Sequence, residues 1–144
     1  MTQVNRLPNL SRINTSKIVN FTFNGKPYQG FAGDSLASAL LANGINVVGR
    51  SFKYARPRGI VGHGMEEPNG IIQLGSGAAT VPNLKVTQIE LYEGLDASSV
   101  NGWPSVNYDV MSWLGAFGRL MPPGFYYKTF MLSLIHISEP TRLL

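Results

Sequence analysis

The chain has 144 residues, 44% hydrophobic and 14% charged, with 12 Lys and Arg against 8 Asp and Glu. That length buries a sizeable core, and the apolar share excludes wholesale disorder, which needs low hydrophobicity and high net charge. Cysteine is absent, so these residues offer no disulfide, no thiolate nucleophile, no Cys-ligated zinc and no thiolate-held iron–sulfur cluster.

Residues 1–16 contain Pro8, three Asn and two Ser with no sustained period, and read as a flexible leader. They carry Arg and Ser and no acid, a faint likeness to a transit peptide, but a leader on a cytoplasmic protein is the preferred reading. Ile18 to Phe23 is rich in β-branched and aromatic residues and predicts a strand. Asn24-Gly25 predicts a type I′ hairpin turn, because both central positions need positive φ. Lys26 to Phe31 is the return strand, and Pro27 near its start suggests a sheet edge.

Asp34 is the predicted N-cap of a helix that carries Leu36, Ala37, Leu40, Leu41 and Gly44 on one face. Asn43-Gly44 is its stop signal. Residues 45–48 form a connection or a short strand. Residues 49–70 (GRSFKYARPRGIVGHGMEEPNG) hold five Gly, two Pro and four cations, and predict a long ordered loop. Ile71 to Leu74 is a strand, Gly75 to Asn83 is turn-like, and Lys85 to Tyr92 is a further strand with imperfect alternation. A hairpin, one helix and later strands returning to the same sheet predict an α+β fold of the β-grasp type over residues 17–94. No stretch approaches the roughly 18 apolar residues of a membrane span.

Residues 95–131 differ in character. Eight of the 15 aromatics lie there: Trp103, Tyr108, Trp113, Phe117, Phe125, Tyr126, Tyr127 and Phe130. Met111 to Met121 suggests a helix, ended by Pro122-Pro123-Gly124. Such an irregular, ring-rich extension either docks on another surface or covers the β-grasp core. Leu132 to Arg142 (LSLIHISEPTR) resembles a translated sequencing-library adapter, so 132–144 is read as a non-native tail and the chain as a fragment whose native reading frame is cut after Met131.

Chemistry-bearing motifs are few. Gly75-Ser-Gly-Ala-Ala-Thr80 imitates a dinucleotide fingerprint, but Thr80 replaces the third glycine, Pro82 follows, and no helix start is available for a pyrophosphate. Gly59, Gly62 and Gly64 lack the lysine of a P-loop, and His63 is a lone histidine without metal-ligand spacing. Arg50, Lys53, Arg56 and Arg58 interleave with Phe52 and Tyr54. That cluster is open to three readings: a solvated loop, contact with a partner subunit or a cofactor phosphate, or nucleic-acid binding. Glu66-Glu67 reads as surface charge. No nucleophile triad, carboxylate dyad or metal cluster emerges, so no catalytic residue and no metal ligand is assigned.

The stretches GDSLASALLANG, GRSFKYARPRGI, NGWPSVNYD and PPGFYYKTFM resemble the N-terminal region of the heterotetrameric sarcosine oxidase α-subunit family, over roughly residues 18 to 131. The resemblance implies a ferredoxin-like β-grasp domain. Relatives that bind a two-iron, two-sulfur cluster carry cysteines in the loop after the RPRG stretch; here that loop is GIVGHGMEEPNG, so no cluster is expected. It also implies a following Rossmann-type domain, and NAD, FAD and FMN in the full complex, with no cofactor in this fragment. The implied reaction is oxidative demethylation of sarcosine to glycine with hydrogen peroxide formation. The one-carbon unit would pass to tetrahydrofolate or leave as formaldehyde, and the other oxidase subunits would be the partners. Arg50, Lys53, Arg56 and Arg58 are the cofactor-binding candidates, and neither nucleic acid nor membrane is expected as a partner. A related amine or opine dehydrogenase subunit, or a basic nucleic-acid-binding module, are the competing readings.

Overall fold

A computed structural model describes residues 3–8, 13–52, 54–113 and 117 of the chain. Strand β1 (Asn14–Phe23) turns through Asn24 and Gly25, at φ +51° and +74°, into β2 (Lys26–Ala32). Phe23 pairs directly with Lys26, so the loop has two residues, as its Asn-Gly chemistry predicts. Helix α1 (Leu36–Ala42) follows and stops at Asn43, with Gly44 left-handed at φ +79°. A two-residue pair, β3 (Gly49–Arg50) with β4 (Pro57–Arg58), interrupts the long loop. Next come β5 (Ile71–Leu74), β6 (Val81–Lys85) and β7 (Leu95–Ser99).

The main sheet has the order β2-β1-β7-β5-β6. The β1–β7 pair is parallel and its other pairs are antiparallel, so the sheet is mixed. β2 is an edge strand, in keeping with Pro27. Val19, Phe21 and Phe23 alternate inward from β1 and join Leu36, Ala37, Ala39 and Leu40 of α1, with Ile72, Leu95 and Ala97 across the sheet. This is the α+β, β-grasp-like arrangement of one helix on a mixed sheet.

Five expectations are corrected. The N-cap is Ser35, whose Oγ accepts from the Ser38 amide at 3.2 Å; the Asp34 carboxylate lies fully buried one residue earlier. Oδ2 of Asp34 accepts from the Phe31 amide at 3.0 Å and from the Arg6 guanidinium at 2.5 Å, and Oδ1 accepts from the Ser38 hydroxyl at 2.8 Å. Both Asp and Ser are competent caps, and the arrival of Arg6 draws Asp34 into tertiary structure.

Arg6 also shows that the leader is tied down in part. The Asn5 amide donates to the Ala42 carbonyl at 3.1 Å, and Gln3 Nε2 donates to the Gln29 carbonyl at 2.9 Å. The Arg6 guanidinium stacks 5.0 Å from the centre of the Phe31 ring.

The predicted strand over Lys85 to Tyr92 is instead β6 followed by a 3₁₀ turn at Val86–Gln88. The buried residues there are Val86 and Leu91, a spacing that no single strand face supports. Residues 89–91 cross the helix start, where the Leu36 amide donates to the Ile89 carbonyl and the Leu91 amide to the Asp34 carbonyl.

The domain edge expected at Gly94 also fails. β7 begins at Leu95 and lies between β1 and β5. Its pattern, Leu-Asp-Ala-Ser-Ser, is too polar to read as an inner strand, yet Leu95 and Ala97 are buried while Asp96 is exposed. Leu41, placed on the inner face of the helix, is 38% exposed.

Gly59 passes over the chain at Asn46. A Cβ built on it would stand 2.6 Å from the Asn46 carbonyl oxygen, a backbone atom that cannot swing aside. Gly59→Ala is therefore expected to lower stability by about 1–3 kcal/mol, read as a fall in the urea midpoint with an unchanged slope.

Candidate functional site

The basic loop is ordered by its own first cation. Arg50 Nε donates to the Val106 carbonyl at 2.6 Å, Nη2 to the Asn107 carbonyl at 3.2 Å, and Nη1 to the Ala55 carbonyl at 2.7 Å. A planar guanidinium serves three carbonyls at once because its donors are fixed in a fork. Arg50 therefore joins the loop to segment 105–107 and is not a solvated charge. Ala55 is buried at φ +49°, a left-handed conformation uncommon for alanine, and its carbonyl is one that Arg50 holds.

Arg56 and Arg58 are exposed, and the Arg56 guanidinium lies 4.8 Å from the centre of the Tyr54 ring. Phe52 is fully exposed. Lys53 lies outside the described residues. Of the four predicted cations, the structure thus engages Arg50 internally and leaves Arg56 and Arg58 facing outward on one short stretch.

The same clamp sets the start of the aromatic extension. The Val110 amide donates to the Trp103 carbonyl at 2.9 Å, and Asp109 caps a 3₁₀ turn at Val110–Ser112 through the Met111 amide at 2.8 Å. Val106 is buried, whereas Trp103, Tyr108, Trp113 and Phe117 are each more than half exposed. These rings do not cover the β-grasp core. A groove of about 550 Å³ opens between the β1–β2 turn, residues 44–47 and residues 105–108. The predicted helix over Met111 to Met121 and the rings Phe125, Tyr126, Tyr127 and Phe130 fall wholly or partly outside the described residues, as does the tail 132–144.

Glu67, read from sequence as surface charge, is fully buried. Its Oε2 accepts from the Val61 and Gly62 amides at 2.8 and 2.6 Å, and its Oε1 from the Asn69 and Gly70 amides at 3.0 and 3.2 Å. Burial pushes this carboxyl up, but the four backbone donors outweigh it and hold it below the ordinary glutamate value. No period or motif in the sequence marks the residue, because its donors come from both limbs of an irregular loop. Its neighbour Glu66 is exposed, as is His63. Among the described residues no three His, Cys, Asp or Glu side chains converge as a metal site. Gly75 to Thr80 forms the β5–β6 connection, with a 3₁₀ turn at Gly77–Ala79.

Comparison with known proteins places this geometry. The model of a 2Fe-2S iron-sulfur cluster binding domain matches residues 16–102. The chain belongs to that family. It is also similar to curated sarcosine oxidase α subunits. The one from Rhizobium meliloti (strain 1021) is 51% identical over 126 residues, covering 88% of this chain and 13% of the relative. Those from Corynebacterium sp. strains U-96 and P-1 are 38% and 44% identical over 95 and 62 residues, covering 64% and 43% of this chain and 10% and 6% of the relatives. The chain thus spans a small part of the length of the curated relatives it matches. The family match begins near β1 and runs past β7, in agreement with a domain that includes β7.

The family's name implies a two-iron, two-sulfur cluster, and the residues present do not fit one. Such clusters are held by four thiolates, or by two thiolates and two imidazoles. The chain has no cysteine and two histidines, of which His136 lies outside the described residues. Nor is the loop open: a Cβ on Gly62 would come within 3.3 Å of the Glu66 carbonyl and Glu67 Cα, and one on Gly70 within 2.4 Å of Val86 Cγ1.

Proposed function

We propose that this chain is the N-terminal structural module of a sarcosine oxidase α subunit, a β-grasp domain that organises its neighbours and supplies no reacting group. The observation that carries the reading is the 51% identity to the Rhizobium meliloti subunit over 126 residues. In the complete enzyme the implied chemistry is oxidative demethylation of sarcosine to glycine with formation of hydrogen peroxide. NAD, FAD and FMN, and tetrahydrofolate as one-carbon acceptor, would bind on the rest of the α subunit and on the other subunits. Hydride chemistry belongs to such cofactors; a protein module of this kind contributes position.

The geometry supports the docking elements of this reading. Arg50 holds segment 105–107 against the basic loop, so Trp103, Tyr108 and Trp113 stand on an ordered stem. Large rings on a fixed backbone suit a buried interface, since they bring much apolar area at small cost in rotamer freedom. Arg56 and Arg58 are exposed and would meet acidic groups of a neighbouring domain or a cofactor phosphate. No helix among the described residues is long and apolar enough to cross a membrane, and the working location proposed is the cytoplasm.

The test is an exchange. Residues 1–131 replace the matching region of the Rhizobium meliloti subunit, and the hybrid is expressed with the other subunits of that enzyme. The expected result is an assembled oxidase that forms hydrogen peroxide from sarcosine, while the isolated chain forms none. A hybrid that folds by circular dichroism yet fails to assemble would remove the proposal. Activity of the isolated chain would do the same.

A further inference from the structure

We infer that Glu67 is the anionic centre of the 59–70 loop, its own carboxylate filling the organising role that a bound metal cluster has in cluster-binding members of the family, so that this loop closes without metal. Both oxygens of the carboxylate are used twice, each by two successive amides. One pair of donors precedes Glu67 by five and six residues, and the other follows it by two and three. A single side chain thereby ties the two limbs of the loop together. Successive inward-pointing amides form a concavity that demands negative charge. In most such concavities the charge is a bound ligand; here the chain brings it.

The surroundings support a self-contained latch. The Glu67 side chain is fully buried, and the Cβ positions of Gly62 and Gly70 are closed off by the loop's own backbone, by Val86 and by Glu67 itself. No cation neutralises it among the described residues, where the one ion pair is Arg6 with Asp34. The charged groups around it are engaged elsewhere or solvated. From β6, the Lys85 ammonium donates to the Met65 carbonyl; on the loop itself, Glu66 and His63 are exposed. The Thr87 hydroxyl donates to the Gly64 carbonyl at 2.6 Å, which pins the loop's middle from outside. The stabilising charge therefore comes from backbone dipoles alone.

The inference does not depend on which enzyme the module serves, and its test separates the two. The full chain is incubated anaerobically with ferrous iron and sulfide, then desalted. The expected result is no visible charge-transfer absorption and no change of the urea midpoint, with or without EDTA. Hydrogen exchange should find the Val61, Gly62, Asn69 and Gly70 amides protected in the untreated protein. Glu67→Gln keeps the shape but turns an amide donor toward those N–H groups, and should speed their exchange by about tenfold or more. Glu67→Ala should speed it further.

Acidity gives a second readout. A carboxyl held below its ordinary value contributes stability above the ordinary range of about pH 4 and loses it as pH falls through the folded value. The midpoint of the parent chain should therefore fall between pH 6 and about pH 3 more steeply than that of Glu67→Gln. The comparison is needed because Glu93, held down by Asn20, titrates in the same direction. Incorporation of iron with a raised midpoint would overturn the inference, as would four unprotected amides in the parent chain or unchanged exchange and pH slope in Glu67→Gln. If Glu67→Ala fails to fold, the iron and exchange measurements on the parent chain still decide.

Discussion

A chain ended at Gly94 is expected to lose its cooperative fold, whereas one ended at Trp113 is expected to keep it. The reason is the position of β7, which pairs in parallel with β1 on one side and antiparallel with β5 on the other. Without it the sheet falls into two separate hairpins, β1–β2 and β5–β6, and an isolated hairpin is marginal at best in water. The lost burial is also large. Leu95 and Ala97 are at most 1% exposed, and truncating a buried leucine alone costs about 2–5 kcal/mol. β1 would lose partners as well: the Asn24 amide donates to the Ala97 carbonyl at 2.9 Å, and the Thr22 hydroxyl to the Asp96 carboxylate at 2.6 Å. Together with the two strand ladders these losses are comparable to the margin of about 5–15 kcal/mol by which a domain is stable. Far-ultraviolet circular dichroism through a urea series reads the result. A sigmoidal transition for the chain ended at Gly94 would contradict the topology.

Asp34→Ala is expected to cost about 3–5 kcal/mol, the range for breaking a buried ion pair from one side. Asp34 is fully buried, and the Arg6 side chain is 14% exposed. The substitution leaves the Phe31 amide, the Ser38 hydroxyl and the Arg6 guanidinium without their shared acceptor. It also loosens Gln3 and Asn5, whose contacts with Gln29 and with Ala42 lie beside the same pair. Asp34→Asn should cost less, because one oxygen remains to accept. Arg6→Met in the Asp34→Ala background should cost less than Arg6→Met alone, the signature of two residues that act as a pair. Urea midpoints of the four proteins measure this cycle. Additive losses, or an Asp34→Ala cost below about 1 kcal/mol, would show that the pair is not coupled.

The candidate site was legible only in outline. The four-cation stretch stood out by composition, but the division of labour within it did not. Arg50 is structural because Val106 and Asn107, more than fifty residues away, offer their carbonyls to it. Nothing near Arg50 in sequence announces those acceptors. Glu67 is the sharper case. Beside Glu66 it reads as one of a pair of surface charges, yet one is exposed and the other fully buried. A signal was present in retrospect: glycines at 62 and 70 flank it within a loop too irregular to satisfy its own amides.

What the residues determined alone is whatever rests on neighbours in the chain. The type I′ turn at Asn24-Gly25 needs positive φ at two adjacent positions, and the end of α1 needs a left-handed Gly44. β1, β5 and the inner face of the helix carry enough local apolar content to announce themselves, and the absence of cysteine is read without coordinates. Tertiary structure decided the rest. It made polar β7 an inner strand because two long-range ladders and two buried apolar side chains, Leu95 and Ala97, suffice there. It moved the cap from Asp34 to Ser35 because Arg6 arrived from the leader. It buried Glu67 because four amides, scattered along a loop, point at one place once the loop is closed. Hydrogen bonds and charges between distant residues have no period, so they become visible only when the fold brings their partners within about 3 Å.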